Sequence, residues 1–391
     1  MDCAKSSFLT IITAVVLISV TTDLRKLQRH QYGSTVIRNA KNAAEVSIPK
    51  LLTIQDAQNL TVYEVLKILG QYQTGDQNPN NYIITSNVYN YLNNKIDTNT
   101  VFYNRVPKCG STTMNELFNL NAVDQASNSK NPKARTKRYE IINSMPVGGR
   151  HILETDEEKS DFTKEFLRLA EDRKQQNRKL LFIRHLYFKD FTEHQPIYIN
   201  LIRNPVDQWI STYYFNRFGF KKKGDADSEQ ATEKQIKNMM SWGAIESREE
   251  FYYDLQTCIA KKTKRCQKVY SEMIPYFCGH ELWCHNGNQR AYDKAVENIV
   301  KNFAAVGILE DLPSSLRYFE QVTPAGHFAN LTKVYEGLQA ADKMKNLSEK
   351  SKTNHQHTES IEVRDYLASK LQFEIKLYNF VRQLLYTRLK S

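Results

Sequence analysis

The sequence has no apolar run of the roughly 20 residues that an ordinary membrane span needs. Its N-terminal candidate, Phe8 to Val20, is shorter, with Lys5 before it and Arg25, Lys26 and Arg29 after it. Such a run reads as a cleaved signal or a short signal anchor, and either places the rest of the chain in the secretory lumen. The basic flank on its C-terminal side is what the positive-inside rule keeps in the cytosol, which counts against an anchor. Also missing are any Cys/His finger spacing, an aromatic RNA-binding sheet motif and a long basic tail. Nucleic acid is therefore not an expected partner, although the net charge is +11. That charge fits another anion: a membrane surface, a nucleotide or an acidic polysaccharide. There is no internal repeat. There is also no Cys-x-x-Cys pair, so the spacing expected of a four-cysteine zinc site is lacking and no metal is expected.

Six cysteines are present. Cys3 precedes the apolar run and Cys109 sits alone, which leaves Cys258, Cys266, Cys278 and Cys284 clustered. Four cysteines allow three pairings; sequential pairing, Cys258 with Cys266 and Cys278 with Cys284, closes two small loops and is the one expected. Disulfides suit a lumenal protein. Asn59, Asn330 and Asn346 head Asn-x-Ser/Thr triplets compatible with glycosylation.

A chain of 391 residues is long enough to bury a full α/β core. Residues 23–99 are rich in Asn, Gln and Thr, with an amphipathic helix expected over Val62 to Tyr72 and a polar break from Gly75 to Asn81; they read as a stem. Apolar runs at Val101 to Pro107, Leu180 to Phe188, Ile197 to Arg203 and Ala304 to Leu309 read as buried strands. Strands alternating with helices predict a mainly parallel sheet flanked by helices. Polar stretches at Ala122 to Lys137 and Lys221 to Lys237 read as surface insertions. A C-terminal helix is expected to carry Leu367, Leu371, Ile375, Tyr378, Val381 and Leu385 on one face.

Two stretches carry chemistry. In Val101 to Leu120 a strand ends at Pro107, a turn of small residues comes next, and a helix begins near Thr112. The free backbone N–H groups there converge on one point, a geometry that binds anionic oxygens, and Lys108 adds a mobile positive charge. The loop is not a Walker A motif, in which the lysine follows the second glycine; here Lys108 precedes Gly110, which argues against a nucleotide kinase. In the second stretch a strand delivers Arg203 to its C-terminal end, Pro205 starts a helix, and Ser211 comes two turns later. An arginine fork and a hydroxyl so placed suit a second phosphate.

Five blocks give the sequence a specific likeness: Tyr103-Asn-Arg-Val-Pro-Lys-Cys-Gly-Ser, Phe182-Ile-Arg-His-Leu-Tyr-Phe, Gln195-Pro-Ile-Tyr-Ile-Asn-Leu-Ile-Arg-Asn-Pro-Val, Tyr213-Tyr-Phe-Asn-Arg-Phe-Gly and Ile274-Pro-Tyr-Phe-Cys-Gly. In this order the chain resembles the uronyl and heparan sulfate 2-O-sulfotransferases, the uronyl or Pipe-like branch being the nearer. The spacing of the four clustered cysteines is similar too. The resemblance implies a P-loop-like sulfotransferase fold and 3′-phosphoadenosine 5′-phosphosulfate (PAPS) as sulfate donor. It also implies a glycosaminoglycan acceptor, a homotrimer, and a Golgi membrane protein of type II. On that reading residues 1–7 are a cytoplasmic tail, 8–22 the anchor, 23–99 the stem and 100–391 the lumenal catalytic domain.

Carried over residue by residue, Lys108, Gly110, Ser111, Thr112 and Thr113, with Cys109 inside the loop, hold the 5′-phosphosulfate. Arg203 and Ser211 hold the 3′-phosphate, and Lys350, Lys352 and Thr353 form a late loop over the nucleotide. His185 matches the family's catalytic histidine; Arg105 and the Lys221, Lys222, Lys223 cluster match regions that touch polysaccharide. Chemistry supports the pair at the centre. Sulfuryl transfer needs a base for the attacking hydroxyl, a task suited to imidazole, and positive charge on the departing oxygen, a task suited to Lys108. Three positions depart from the family pattern. Ile183 stands where some members carry a second histidine, Asn204 replaces the usual aspartate after Arg203, and the late loop lacks an arginine. The alternative reading is a catalytically silent glycosaminoglycan-binding protein that keeps the fold.

Overall fold

Val101-Phe-Tyr, Leu180-Leu-Phe-Ile and Ile197 to Ile202 are apolar at nearly every position, the pattern of strands covered on both faces. In the computed structural model these runs form the middle of a five-stranded sheet. It describes residues 50–74, 82–83, 88, 92, 95–123, 137–143, 145, 151–191, 194–219, 229–324, 327–354 and 358–390. The strands are β1 (Ile96–Tyr103), β2 (Tyr139–Ile142), β3 (Lys179–Ile183), β4 (Gln195–Ile202) and β5 (Phe303–Ile308). Their spatial order is β2-β3-β1-β4-β5, and every neighbouring pair is parallel. The mainly parallel α/β fold expected from the sequence is thus present.

The helices that bear on the site are α1 (Val62–Thr74), α2 (Ser111–Ala122), α3 (Asp156–Gln175), α4 (Pro205–Phe218), α5 (Ile274–Cys278), α6 (Gln289–Asn302), α7 (Leu312–Val322), α8 (Lys343–Ser351), α9 (Ile361–Lys370) and α10 (Gln372–Lys390). Side chains alternate along β1 and so sort two of them onto opposite faces. The Phe102 ring lies 5.4 Å from Phe166 of α3, whereas Tyr103 lies 5.7 Å from Phe118 of α2. Local signals start both α3 and α4. Thr155 and Glu158 form a capping box ahead of an acidic first turn in α3. Asn204 caps α4 by accepting from the amides of Val206 and Asp207, with Pro205 at the first helical position.

The strands differ from the sequence reading at their ends. β3 stops at Ile183, so His185 lies just beyond the strand rather than within it: the amide of Arg184 turns to the carbonyl of Tyr103, and the next apolar residues pack as a loop. The edge strand β2 escaped notice because only its first residue is fully buried. The expected C-terminal helix is two helices meeting at Leu371, where φ is −102° and ψ 28°. Leu367 and Leu371 pack with α4 in one cluster, while Leu377, Val381 and Leu385 join the main core and Ile375 stays half-buried.

The expected stem also meets a different arrangement. Val62, Val65, Ile68 and Leu69 of α1 are buried in the same core as the sheet, and the compact unit runs from Lys50 to Ser391. Residues 50–74 therefore fold with the domain. The anchor expected at 8–22 and the Lys221, Lys222, Lys223 cluster lie outside the described residues; among the described residues no helix is long and apolar enough to cross a membrane. The cysteines pair sequentially, Cys258 with Cys266 and Cys278 with Cys284. Asn59, Asn330 and Asn346 are all exposed.

Candidate active site

In a parallel sheet every strand delivers its C-terminal end to the same edge, and loops from neighbouring strands meet there. Here β1 leads to Arg105 and Lys108, β3 to His185, β4 to Arg203 and β5 to Leu309, and all five line one cavity of about 880 Å³. One buried amide ties the loops after β1 and β3 to α5 and to β4 itself. The side-chain N–H₂ of Asn104 donates to the carbonyls of Leu186 and Tyr276, the latter at 2.8 Å, while its own carbonyl oxygens accept from Asn200 of β4. Both asparagines are fully buried, so every one of these bonds is protected from water.

At one end of the cavity is the start of α2. Its first intrahelical bond runs from the Met114 amide to the Gly110 carbonyl, and the amides of Ser111, Thr112 and Thr113 have no protein acceptor among the described residues. Those N–H groups and the helix dipole make an anion seat. The turn into it needs a left-handed residue: Gly110 has φ +80°, and a Cβ there would come within 2.7 Å of Leu309 Cδ1. Lys108 sits with its ammonium 4.0 Å from the centre of the Phe215 ring. Burial, then the nearby Arg203, pulls its pKa down to about 8.

Arg203 lines the same cavity, reaches toward the Lys108 carbonyl at 3.4 Å and makes no ion pair with a carboxylate among the described residues. Ser211 shares a hydrogen bond of 3.1 Å with Thr353. Lys352, Thr358 and Glu349 complete this rim, with Lys352 and Glu349 paired at 3.7 Å. The replacement of aspartate by Asn204 proves conservative in structure. The asparagine side chain still caps α4, and a different carboxylate, Glu310, accepts its backbone N–H at 2.7 Å.

His185 and Arg105 line the same cavity. The Nδ1 of His185 lies 2.9 Å from the carbonyl oxygen of Arg105, which can only accept, so Nδ1 carries the proton and Nε2 keeps its lone pair. Burial, reinforced by Arg105 and His151, pulls the imidazole down to about 3, so it is neutral at physiological pH. A second histidine, His151, stacks on it with ring centres 5.2 Å apart.

The structure thus gathers Arg105, Lys108, Gly110, Ser111, Thr112, Thr113, His185, Arg203, Ser211, Lys352 and Thr353 around one cavity. Cys109 is different: its thiol is buried in the core, where burial pushes its pKa up, leaving only its backbone for the loop. Lys350 belongs to α8. Sequence reasoning missed Phe215, Leu309 and Thr358, which line the cavity, and His151, which meets it through its stack on His185. Phe215 had a signal, since it comes four residues after Ser211 and must share its helix face; the others are single residues in loops or at strand ends, where no periodicity marks them.

The sequence pattern of the sulfotransferase family matches residues 95–381. This chain belongs to the sulfotransferase family. Among its relatives, human uronyl 2-sulfotransferase (Homo sapiens) is 28% identical over 294 residues, which cover 72% of this chain and 61% of that protein. The heparin sulfate O-sulfotransferase of Drosophila melanogaster is 28% identical over 231 residues, 57% of this chain and 56% of the relative. Heparan sulfate 2-O-sulfotransferase 1 of Xenopus laevis is 24% identical over 292 residues, 72% and 71% respectively. The chain spans 61% of the length of the uronyl 2-sulfotransferases it matches. The cavity carries two sets of groups suited to anions: the α2 amides with Lys108, and Arg203 with the Ser211–Thr353 hydroxyl pair. Its volume falls in the range of about 300–1,000 Å³ that small-molecule sites occupy.

Proposed function

We propose that this sulfotransferase moves a sulfuryl group from PAPS to the 2-hydroxyl of a hexuronic acid in a glycosaminoglycan, dermatan, chondroitin or heparan. The observation that supports it best is one cavity lined together by a neutral histidine, by the α2 turn with Lys108, and by Arg203 with Ser211. PAPS supplies an activated sulfuryl group on its 5′-phosphate. The amides of Ser111, Thr112 and Thr113 and the Lys108 ammonium would hold that end, and Arg203 with Ser211 the 3′-phosphate. His185 takes the proton of the attacking hydroxyl on Nε2, because Nδ1 is already committed to the Arg105 carbonyl. Lys108 places positive charge where the departing phosphate oxygen gains negative charge. Arg105, half-buried beside His185, offers its guanidinium to an acidic sugar.

The two disulfides favour an oxidising compartment, and with the N-terminal apolar run they support a Golgi lumenal setting with a membrane tether. A homotrimer is part of the same proposal by likeness alone. The deciding experiment is transfer of labelled sulfate from PAPS to desulfated heparan, dermatan and chondroitin, with disaccharide analysis of the product. Sulfate on the uronic acid 2-position is the expected result. Folded protein that binds the desulfonated nucleotide PAP but modifies no acceptor would point instead to a silent glycosaminoglycan-binding protein.

A further inference from the structure

Sulfuryl transfer by His185 and Lys108 gives no task to His151, the imidazole stacked on His185. Its placement is nonetheless specific. The two ring planes lie within 19° of each other. The Nδ1 of His151 is 2.8 Å from the hydroxyl of Tyr276, which has no other partner among the described residues. That phenol is nearly fully buried and its pKa is raised well above the ordinary value, chiefly by burial, so the oxygen keeps its proton. A phenol that keeps its proton and has one neighbour donates to it. Nδ1 of His151 therefore accepts, and the imidazole proton sits on Nε2.

Across the stack the assignment is reversed, because His185 spends its Nδ1 proton on the Arg105 carbonyl. Burial, then Arg184 and Arg105, lowers the pKa of His151 as well, which keeps both rings neutral. On these two stacked rings, Nε2 of His151 thus carries a proton and Nε2 of His185 a lone pair. The His151 residue is exposed, and no protein group among the described residues accepts its Nε2 proton. A neutral donor is what this spot requires, since a cation there would weaken the neighbouring base. The 5.2 Å between ring centres lies within the span of one pyranose ring, so one sugar can meet both.

We propose that His151 is an acceptor-binding residue whose Nε2–H donates to an oxygen of the same uronic acid that gives its hydroxyl proton to His185, with Tyr276 fixing the tautomer. The proposal rests on the uronyl sulfotransferase reading. It places a second histidine beside the base from a different chain segment, where Ile183 leaves the strand position without one.

The test uses the full chain with His151→Phe, His151→Gln and Tyr276→Phe. Phe preserves the flat ring and removes the donor; the amide of Gln restores an N–H at about the Nε2 position. His151→Phe should raise the acceptor KM about tenfold, the worth of one buried hydrogen bond, with PAP affinity unchanged. Its kcat should stay within about threefold of the wild type, because the base is intact. His151→Gln should recover most of the loss, and Tyr276→Phe should raise KM by about threefold as the tautomer is released. Acceptor KM within about twofold of wild type for His151→Phe, or a Gln variant no better than Phe, overturns the proposal. If His151→Phe loses PAP binding through misfolding, the Gln variant decides. Should the wild type transfer no sulfate, the functional reading fails separately. Calorimetry of a desulfated heparan hexasaccharide with the PAP-bound protein then judges His151: affinity weakened by Phe and kept by Gln supports the role, and equal or absent binding overturns it.

Discussion

The Arg105 carbonyl fixes the His185 tautomer and burial keeps its ring neutral, and both are invisible in sequence. As one of nine histidines it stands out by the block around it and not by its own chemistry. The structure supplies what was missing: a fixed tautomer, a neutral ring and a place in the cavity that both anion-binding groups line. Replacing it by Ala should cut kcat by about 10²–10⁴-fold while PAP affinity, measured by calorimetry, stays nearly unchanged. The pH profile rests on two groups. His185 loses its lone pair only as pH falls toward about 3, and Lys108 loses its charge as pH rises through about 8. Plotted as kcat/KM for PAPS, activity should therefore show no inflection near the ordinary histidine value and should fall above pH 8. An acid limb near pH 6.5 would assign the proton to another group. His151 and Cys109 mark the limit of residue-level reading. The first sits in a loop with no repeating pattern, and the second belongs to the right loop but turns its thiol inward.

Among the elements, the middles of β1, β3, β4 and β5 were legible because strands covered on both faces must be apolar throughout. Their ends were not, since apolar loop residues such as Leu186 and Phe188 continue the same pattern after the hydrogen bonds have stopped. The break at Leu371 was hidden for a related reason: two helices packing on two clusters still place leucines three and four residues apart. The turn into α2 was read correctly from its small residues, and Gly110 shows why they are needed. In Gly110→Ala, a left-handed backbone costs about 1–2 kcal/mol, and the added Cβ presses on Leu309. Lower thermal stability and about tenfold weaker PAP binding are expected, the latter because the α2 amides shift from their seat. Unchanged PAP affinity would mean that the donor's sulfate end lies elsewhere.

At the scale of the whole molecule, the family and the parallel sheet were legible, but the domain's beginning was not. The helix α1 was expected over Val62 to Tyr72, but its polar-rich surroundings hid that its apolar residues reach the core. The C-terminal helix contributes a second long-range tie. Glu374 of α10 is fully buried, and its Oε1 accepts from the Ser271 hydroxyl and the amides of Met273 and Ile274, at the start of α5. Burial outweighs these bonds and raises its pKa to about 7, helped by Glu272. An acid with a raised folded pKa holds its proton over a window in which the unfolded chain has released it. Stability is therefore lost as pH climbs from the ordinary glutamate value to about 7, and is flat above that. Urea unfolding at pH 5 and 8 should show wild type losing on the order of 3 kcal/mol relative to Glu374→Gln. Equal pH dependence in both proteins would show that the carboxyl titrates normally.

The Asn104 amide has a corollary for how this catalyst is able to change. Because one side chain holds the floor beneath donor, base and acceptor arginine alike, those parts are indexed to one another and not individually adjustable. In Asn104→Ala both PAP affinity and kcat should fall together, unlike His185→Ala, which separates them; calorimetry and turnover on the same preparation would tell the two apart. Change is then easier to acquire at the rim, where Glu349 and Lys352 pair at the end of α8 and Thr358 follows in the next loop, than at a centre set like type in a locked frame.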